Sequence, residues 1–413
     1  MQFLCSTFGS AGDVFPMLGL ALALYERGHE ILFVTNGHFE SLVRGHGLPF
    51  EPLGTEADYQ ASISNPDLWN PRRAFGHVFR SFGPFLKRQY EIHTQHAGKP
   101  DVVALTNCLG FGAFVARDKF HIRTLTVHCQ PAVVWSDIEP PTLPGIMGPR
   151  WLKSLMYTLG EKFVIDGVVC PFLNPWRREL GLPPVKKITR WWNSPDGVLC
   201  MFPDWYAPPQ RDWPPNLVQT DFPLWNANSN AGLSADVSIF LEQGDPPIVF
   251  TPGSANVHGA EFFGAAVEAC HALRRRGILL TEFREQIPAA LPDTVKHFAY
   301  VPLDLLLPRC AAFVHHGGIG STSQALLAGN PQVLMPLAHD QYDNGTRVER
   351  LGVGASIPSP KFNGARLTEA LRKLLTSPSV ASACRTAAAK LVQRDGLARS
   401  AAAIERLCGL RAS

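Results

Sequence analysis

The sequence predicts an α/β protein built from two doubly wound halves, each around a parallel sheet, and three observations predict it. Apolar strand-length runs bounded by turn residues alternate with helical periodicity from residue 1 to about 130, the alternation restarts near residue 247, and the stretch between carries neither pattern. At roughly 150 residues per domain, 413 residues hold two or three domains, enough for large buried cores.

In the first half, Phe3-Leu4-Cys5 is a buried strand and Gly9-Ser10-Ala11-Gly12 a turn. Met17 to Arg27 has apolar residues at helical spacing until Gly28-His29 stops it, and Glu30 to Thr35 is a second strand. This is a βαβ unit, and Asp101 to Leu105 and Arg123 to Val127, apolar throughout, add interior strands of the same parallel sheet. Residues 55–100 are less regular and rich in aromatics. From 130 to 215 prolines and tryptophans are dense, which predicts loops and short helices. Phe222 to Gly244, with Asn226, Asn228, Ser229, Asn230 and Gly232, is the linker candidate.

The second half follows with strands at Pro247–Thr251, Ile278–Thr281, His297–Val301, Ala311–Val314 and Gln332–Met335. Helices are expected over Glu261–Arg276 and Ser321–Ala328, and turns at Pro252-Gly253-Ser254 and Gly317–Gly320. The implied division is 1–225, 226–395, and a helix in 396–413 that packs back toward the first half. Ligands of such sheets bind beyond the carboxyl ends of the strands, which directs attention to the turns at 9–13, 252–254 and 315–322.

Composition narrows the function classes. Charged residues are 18% against about 25% in an ordinary soluble domain, and apolar residues are 46%, which points to greasy ligands or peripheral membrane contact. The net charge of +3 is spread over 38 basic and 35 acidic residues without a long basic block, so nucleic acid is not an expected partner. Nine cysteines form no CxxC pair, and no Asp-x-Asp pair occurs, so no metal site is expected. Met1 to Gly12 has no basic n-region and no apolar run reaches spanning length, which predicts a cytoplasmic protein, at most peripheral at the inner face of the membrane.

The sharpest motif is Phe313-Val314-His315-His316-Gly317-Gly318-Ile319-Gly320-Ser321-Thr322: a strand, a glycine turn and a helix start whose free N–H groups suit an anion such as a diphosphate. The alternative is a capped glycine turn with no ligand. About twenty residues on, after Met335-Pro336, come His339-Asp340-Gln341-Tyr342-Asp343-Asn344. An acid beside an amide at a strand's carboxyl end suits the hydroxyls of a sugar, and a plain surface loop is the alternative.

Together, at this spacing, the two motifs resemble the donor signature of nucleotide-sugar glycosyltransferases of the GT-B architecture, in which two Rossmann-like domains face each other across a cleft. The resemblance implies that His316, Gly318, Ser321, Thr322 and Ser254 meet the donor diphosphate, that Asp340 and Gln341 hold the donor sugar, and that Tyr300 stacks on the nucleobase. Leu303 and Gln324 stand where plant members have Gln and Glu, which leaves the nucleotide open. Gly9-Ser10-Ala11-Gly12-Asp13-Val14-Phe15-Pro16 resembles the family's opening and implies Asp13 as catalytic base, with Ser10 beside it on the acceptor. An acceptor hydroxyl must lose a proton as it attacks the anomeric carbon, and a carboxylate in a partly dry cleft can take it. A helix-capping role for Asp13 is the alternative and is compatible with it. Thr106-Asn107-Cys108 offers no second acid of the kind that orients a catalytic histidine in plant members.

Pro66–Trp69, Ser194–Val198, Ala207–Gln210 and Asp212–Pro214 further resemble the bacterial rhamnosyltransferases of mono-rhamnolipid synthesis. That resemblance implies inverting transfer of L-rhamnose from dTDP-L-rhamnose to a 3-(3-hydroxyalkanoyloxy)alkanoate, with no cofactor beyond the donor. Trp69, Phe75, Phe79 and Phe82 would then line an acceptor wall. The other reading of the stripe in Arg72–Arg88 is a core-facing helix, kinked at Gly83-Pro84. Transfer to a sterol or polyketide aglycone, and a non-catalytic auxiliary protein of the same fold, are the alternatives. A nicotinamide-dependent oxidoreductase is disfavoured because the first turn lacks the third glycine of the dinucleotide fingerprint.

Overall fold

The chain divides into two units, Met1–Trp225 with Asp395–Ser413, and Asn226–Arg394. The computed structural model describes residues 1–143, 149–226, 232–392 and 394–410, so Asn228, Ser229 and Asn230 of the expected linker lie outside the described residues.

The first unit is a seven-stranded, all-parallel sheet in the order β3-β2-β1-β4-β5-β6-β7. Its strands are β1 (Gln2–Ser6), β2 (Glu30–Thr35), β3 (Phe50–Pro52), β4 (Val102–Thr106), β5 (Thr124–His128), β6 (Val198–Cys200) and β7 (Leu217–Gln219). Helices cover both faces of β1 and β4, which explains their unbroken apolar runs: Phe3, Leu4, Cys5 and Val103 to Leu105 are fully buried. The first helix, Ala11–Glu26, starts six residues earlier than its periodicity predicts. Apolar spacing only becomes helical past Pro16, but Ser10 caps the helix and Asp13 completes the capping box, so the polar start is fixed by hydrogen bonds and not by packing. The C-terminal helix, Gly396–Leu407, places Ala401, Ala403 and Ile404 in this unit's core. Glu405 there accepts from Arg27 Nε at 2.8 Å and faces His29 Nε2 at 3.0 Å.

The 130–215 stretch departs from expectation. Besides loops and the short helix Ile188–Trp191 it holds the longer helix Arg150–Gly160, a π turn Glu161–Ile165 and the helix Asp166–Glu179, with Pro171 and Pro175 inside it. Prolines cost helix hydrogen bonds, but Val169, Leu173 and Trp176 are buried in an aromatic cluster, and that tertiary packing outweighs the local penalty. Strands β6 and β7, three residues each, are too short to show a period.

The second unit is a six-stranded parallel sheet in the order β10-β9-β8-β11-β12-β13: β8 (Ile248–Thr251), β9 (Gly277–Leu280), β10 (Val295–Phe298), β11 (Ala312–His315), β12 (Gln332–Leu334) and β13 (Gly354–Ser356). Strand β10 lies two residues before its expected position, so Tyr300 falls in the loop beyond its carboxyl end. The sheet is all parallel and apolar at its centre, as read from the sequence. All nine cysteines are free thiols.

Candidate active site

In the first unit, the chain leaves β1 through Ser6-Thr7-Phe8 and turns at Gly9. The Ser10 amide donates to Asp13 Oδ2 at 3.1 Å, and the Ser10 hydroxyl oxygen accepts from the Gly12 amide at 3.3 Å. Gly9 has φ +139°, and a Cβ there would stand 2.1 Å from Asp13 Oδ2, so only glycine lets the turn close over this carboxylate. Asn107, just past β4, donates through Nδ2 to Thr7 Oγ1 and to the Phe8 carbonyl, both at 3.1 Å. The position that lacks the family's second acid therefore supplies an amide that holds the turn.

Asp13, Met17, Asn107, Cys108, His128 and Gln130 line one hollow at the carboxyl ends of β1, β4 and β5. Burial, and then the Asp13 charge, push the Cys108 thiol up to about 12, so it is inert there. His128, to which sequence reasoning attached no role, faces the same hollow. Its Nε2 lies 2.8 Å from Asn193 Oδ1, and burial holds it neutral, down to about 4.

The aromatic stripe meets this turn from behind. Phe8 contacts Phe82 at 5.2 Å between centroids, Phe82 contacts Phe79 and Phe111 at 5.4 and 5.8 Å, and Phe79 and Phe82 are buried core residues. Of the two readings of the helix, now Ala74–Phe82 and followed by a 3-10 turn at Gly83–Phe85, these two residues take the core-facing one. Phe75 is half-buried at the margin of the cluster, and Trp69 is half-buried outside it. Phe8, with no periodicity to mark it, is the aromatic residue that links cluster and turn.

In the second unit, three turns stand side by side because β8, β11 and β12 are neighbours. After β8, Gly253 takes φ +99°, and a Cβ on it would lie 2.8 Å from His316 Cε1: the imidazole packs directly on this glycine. Ser254 follows, exposed. After β11, Gly318 is the N-cap of the helix Ile319–Ala328 and has no side chain to occupy the free N–H groups. Ser321 is half-buried in the first turn, while the Thr322 hydroxyl donates back to the Gly318 carbonyl at 3.0 Å. That proton is committed inside the helix, and the first-turn amides beyond Ile319, whose N–H donates to Asp340, are the better anion donors.

His315 holds this turn from beneath. Its Nδ1 accepts from the Gly317 amide at 3.1 Å, and Nε2 lies 3.0 Å from Gln332 Oε1, which fixes the proton on Nε2. Burial pushes His315 down to about 3 and His316, which also feels His339, down to about 4. His316 is therefore a neutral N–H donor at neutral pH.

After β12, His339 has a left-handed backbone (φ 58°), uncommon for a side-chain-bearing residue and a mark of a constrained turn. Asp340 accepts from Asn344 Nδ2 at 2.7 Å and from the Ile319 amide, and Asn344 also donates to the Gly317 carbonyl at 2.9 Å, so the turns after β11 and β12 are cross-linked. Gln341 Oε1 accepts from the Leu337 and Ala338 amides at 2.7 and 3.1 Å, which leaves its amide nitrogen as the donor to a ligand. Tyr300 is 50% exposed, its hydroxyl donating to Asn226 Oδ1 at 3.0 Å.

Burial raises Asp340 from the ordinary carboxylate range to about 6. A raised folded-state value means that its stabilising contribution is full below the unfolded value near 4 and is lost as pH rises through 6. Asp340→Asn is therefore expected to be as stable as the parent near pH 4 and more stable at pH 8, on the order of 1–2 kcal/mol after allowance for its solvent-accessible edge. Its donor affinity should fall about tenfold. Denaturant unfolding at the two pH values checks this; identical differences at both would contradict it.

The Glycosyltransferase family 28 N-terminal domain matches residues 3–115, and the C-terminal domain of Erythromycin biosynthesis protein CIII-like matches residues 277–402. Glycosyltransferase GtfE of Amycolatopsis orientalis is 30% identical over 387 residues, 90% of each chain. The chain belongs to the GT-B glycosyltransferases. This glycosyltransferase is also 28% identical to the O-mycaminosyltylonolide 6-deoxyallosyltransferase of Streptomyces fradiae over 98% of its own length and 97% of that protein. It is 27% identical to the sterol 3-beta-glucosyltransferase UGT80A2 of Arabidopsis thaliana, of which it covers 64%. Its fold matches the glycotransferase of kitacinnamycin (TM-score 0.75, 20% identity, 98% of both chains). It also matches the spinosyn rhamnosyltransferase SpnG complexed with thymidine diphosphate (TM-score 0.67, 18% identity, 98% of this chain and 100% of that one). The fold class read from the sequence is thus the observed one.

Proposed function

We propose that this glycosyltransferase moves L-rhamnose from dTDP-L-rhamnose, with inversion, onto the hydroxyl of a 3-(3-hydroxyalkanoyloxy)alkanoate, acting as a peripheral protein at the inner face of the membrane. The observation that carries the reading is in the first unit: the Asp13 carboxylate borders a hollow, and its turn is backed through Phe8 by the aromatic cluster, an apolar setting beside a base. Asp13 takes the acceptor proton as the hydroxyl oxygen bonds to the anomeric carbon, and the bond from that carbon to the diphosphate oxygen breaks. The charge left on dTDP is met by the amides at the start of the helix Ile319–Ala328 and the His316 N–H, with Ser321 and Ser254 at hand. Asp340 and the Gln341 amide hold the sugar hydroxyls, and Tyr300 stacks on the base. A thymidine nucleotide and rhamnose are supported by SpnG, and an apolar acceptor by the relative named for sterol.

The acyl acceptor is tested by a chain-length series at subsaturating acceptor below the micelle threshold. Each buried methylene contributes ~0.8 kcal/mol, so two further carbons should raise the transfer rate up to about tenfold until the pocket is full. A flat profile, or better use of a sterol, would transfer the assignment to a polycyclic acceptor, which the sterol relative favours.

A further inference from the structure

We infer that the continuous helical stretch of residues 150–179, in which Arg150–Gly160 runs through a π turn into Asp166–Glu179, forms a docking face for an anionic phospholipid bilayer. The inference rests on the reading of an amphiphilic acceptor only for its purpose; the surface itself stands on the following observations. Trp151, Leu155, Leu159 and Phe163 recur every four residues and, with Met156, occupy one arc of the helix Arg150–Gly160 and its π turn. They are 68, 50, 39, 66 and 40% exposed in that order, and Phe172 on the next helix is 49% exposed. A contiguous run of large apolar side chains in water marks an interaction surface. The opposite side is already packed: Tyr157 stacks on Trp135 at 3.8 Å, and Val169, Leu173 and Trp176 enter the core.

The charges around the stripe select the occupant. Lys162, Arg178, Lys186 and Lys187 are exposed, whereas Glu179 is the one exposed acid among the described residues of 151–187. Glu161 is buried and accepts from the Thr189 hydroxyl, and Asp166 accepts from the Ile188 amide at 2.9 Å. The Lys162 ammonium lies over the Phe163 ring, 5.4 Å from its centroid, so cation and apolar surface adjoin. Exposed aromatic and aliphatic residues in a stretch whose exposed charges are mostly lysine and arginine match the interface of an anionic bilayer, where the rings enter the headgroup boundary and the cations meet phosphate. A second copy of this stripe would bring like charges together. Among the described residues no helix is long and apolar enough to cross a membrane, so the contact is peripheral.

The test is flotation of the full chain with vesicles rich in phosphatidylglycerol and with pure phosphatidylcholine vesicles. The parent protein should float with the anionic vesicles at low salt and much less with the neutral ones. Trp151→Glu combined with Phe163→Glu should lower partitioning at least about tenfold, with an unchanged unfolding midpoint and unchanged transfer to dispersed acceptor. If that pair impairs folding, Lys162→Gln with Lys187→Gln decides instead, by erasing the preference for anionic vesicles. The inference is overturned if the parent does not float, if the folded variants float like the parent, or if the apolar variant turns a parent dimer into a monomer. The acceptor reading is decided separately by the vesicle-free chain-length series.

Discussion

Asp13→Asn should slow glycosyl transfer by a factor on the order of 10² to 10⁴ while leaving the donor dissociation constant nearly unchanged. The asparagine has the same volume, and its carbonyl oxygen can still accept from the Ser10 amide, so the helix start survives the change. What is lost is a group able to take the acceptor proton. The proposed donor contacts lie in the loops after β8, β10, β11 and β12 of the other unit and do not include residue 13. Single-turnover transfer, measured beside a thermal shift with the donor nucleotide, separates the two effects. Unchanged turnover would leave Asp13 with the capping role alone.

His316→Ala should raise the donor dissociation constant about 10- to 100-fold, matching the ~1.5–3 kcal/mol of a hydrogen bond to a charged oxygen, and should slow turnover as well. The ring is fixed by contact with Gly253 on one turn and belongs to the next, so its loss also opens a void between the two phosphate-side turns. Because His316 in the free protein is held neutral, down to about 4, donor affinity should not follow a histidine titration near pH 6.5. Isothermal titration of dTDP at pH 5.5 and 8 checks both statements; unaltered affinity in the variant would remove His316 from the donor site.

The central strands were legible because sheets buried on both faces need continuous apolar runs, as at Phe3–Cys5 and Val103–Leu105. The start of the first helix was misplaced because Ser10 and Asp13 fix it by polar capping, which an apolar period does not register. The helix around Pro171 and Pro175 is illegible in the sequence for the converse reason: these local breakers are overridden by an aromatic cluster assembled from distant segments.

In the candidate site, the glycine turns and the Asp340-Gln341 pair were readable because their residue types carry their chemistry. The supporting groups were not. His315, Asn107 and Asn344 act by hydrogen-bonding backbone atoms of other segments, a role that depends on which strands are neighbours. Phe79 and Phe82 show the limit of periodicity, since a helix facing a core and a helix facing a lipid present the same stripe.

The most direct test of the account is incubation of the protein with dTDP-L-rhamnose and a 3-(3-hydroxyalkanoyloxy)alkanoate, with the product's anomeric configuration read by NMR. A single rhamnose on the acceptor hydroxyl, of inverted configuration, with dTDP released, is the expected product, formed on the order of 10² to 10⁴ times more slowly by Asp13→Asn. A product of retained configuration, or full activity in that variant, would contradict it.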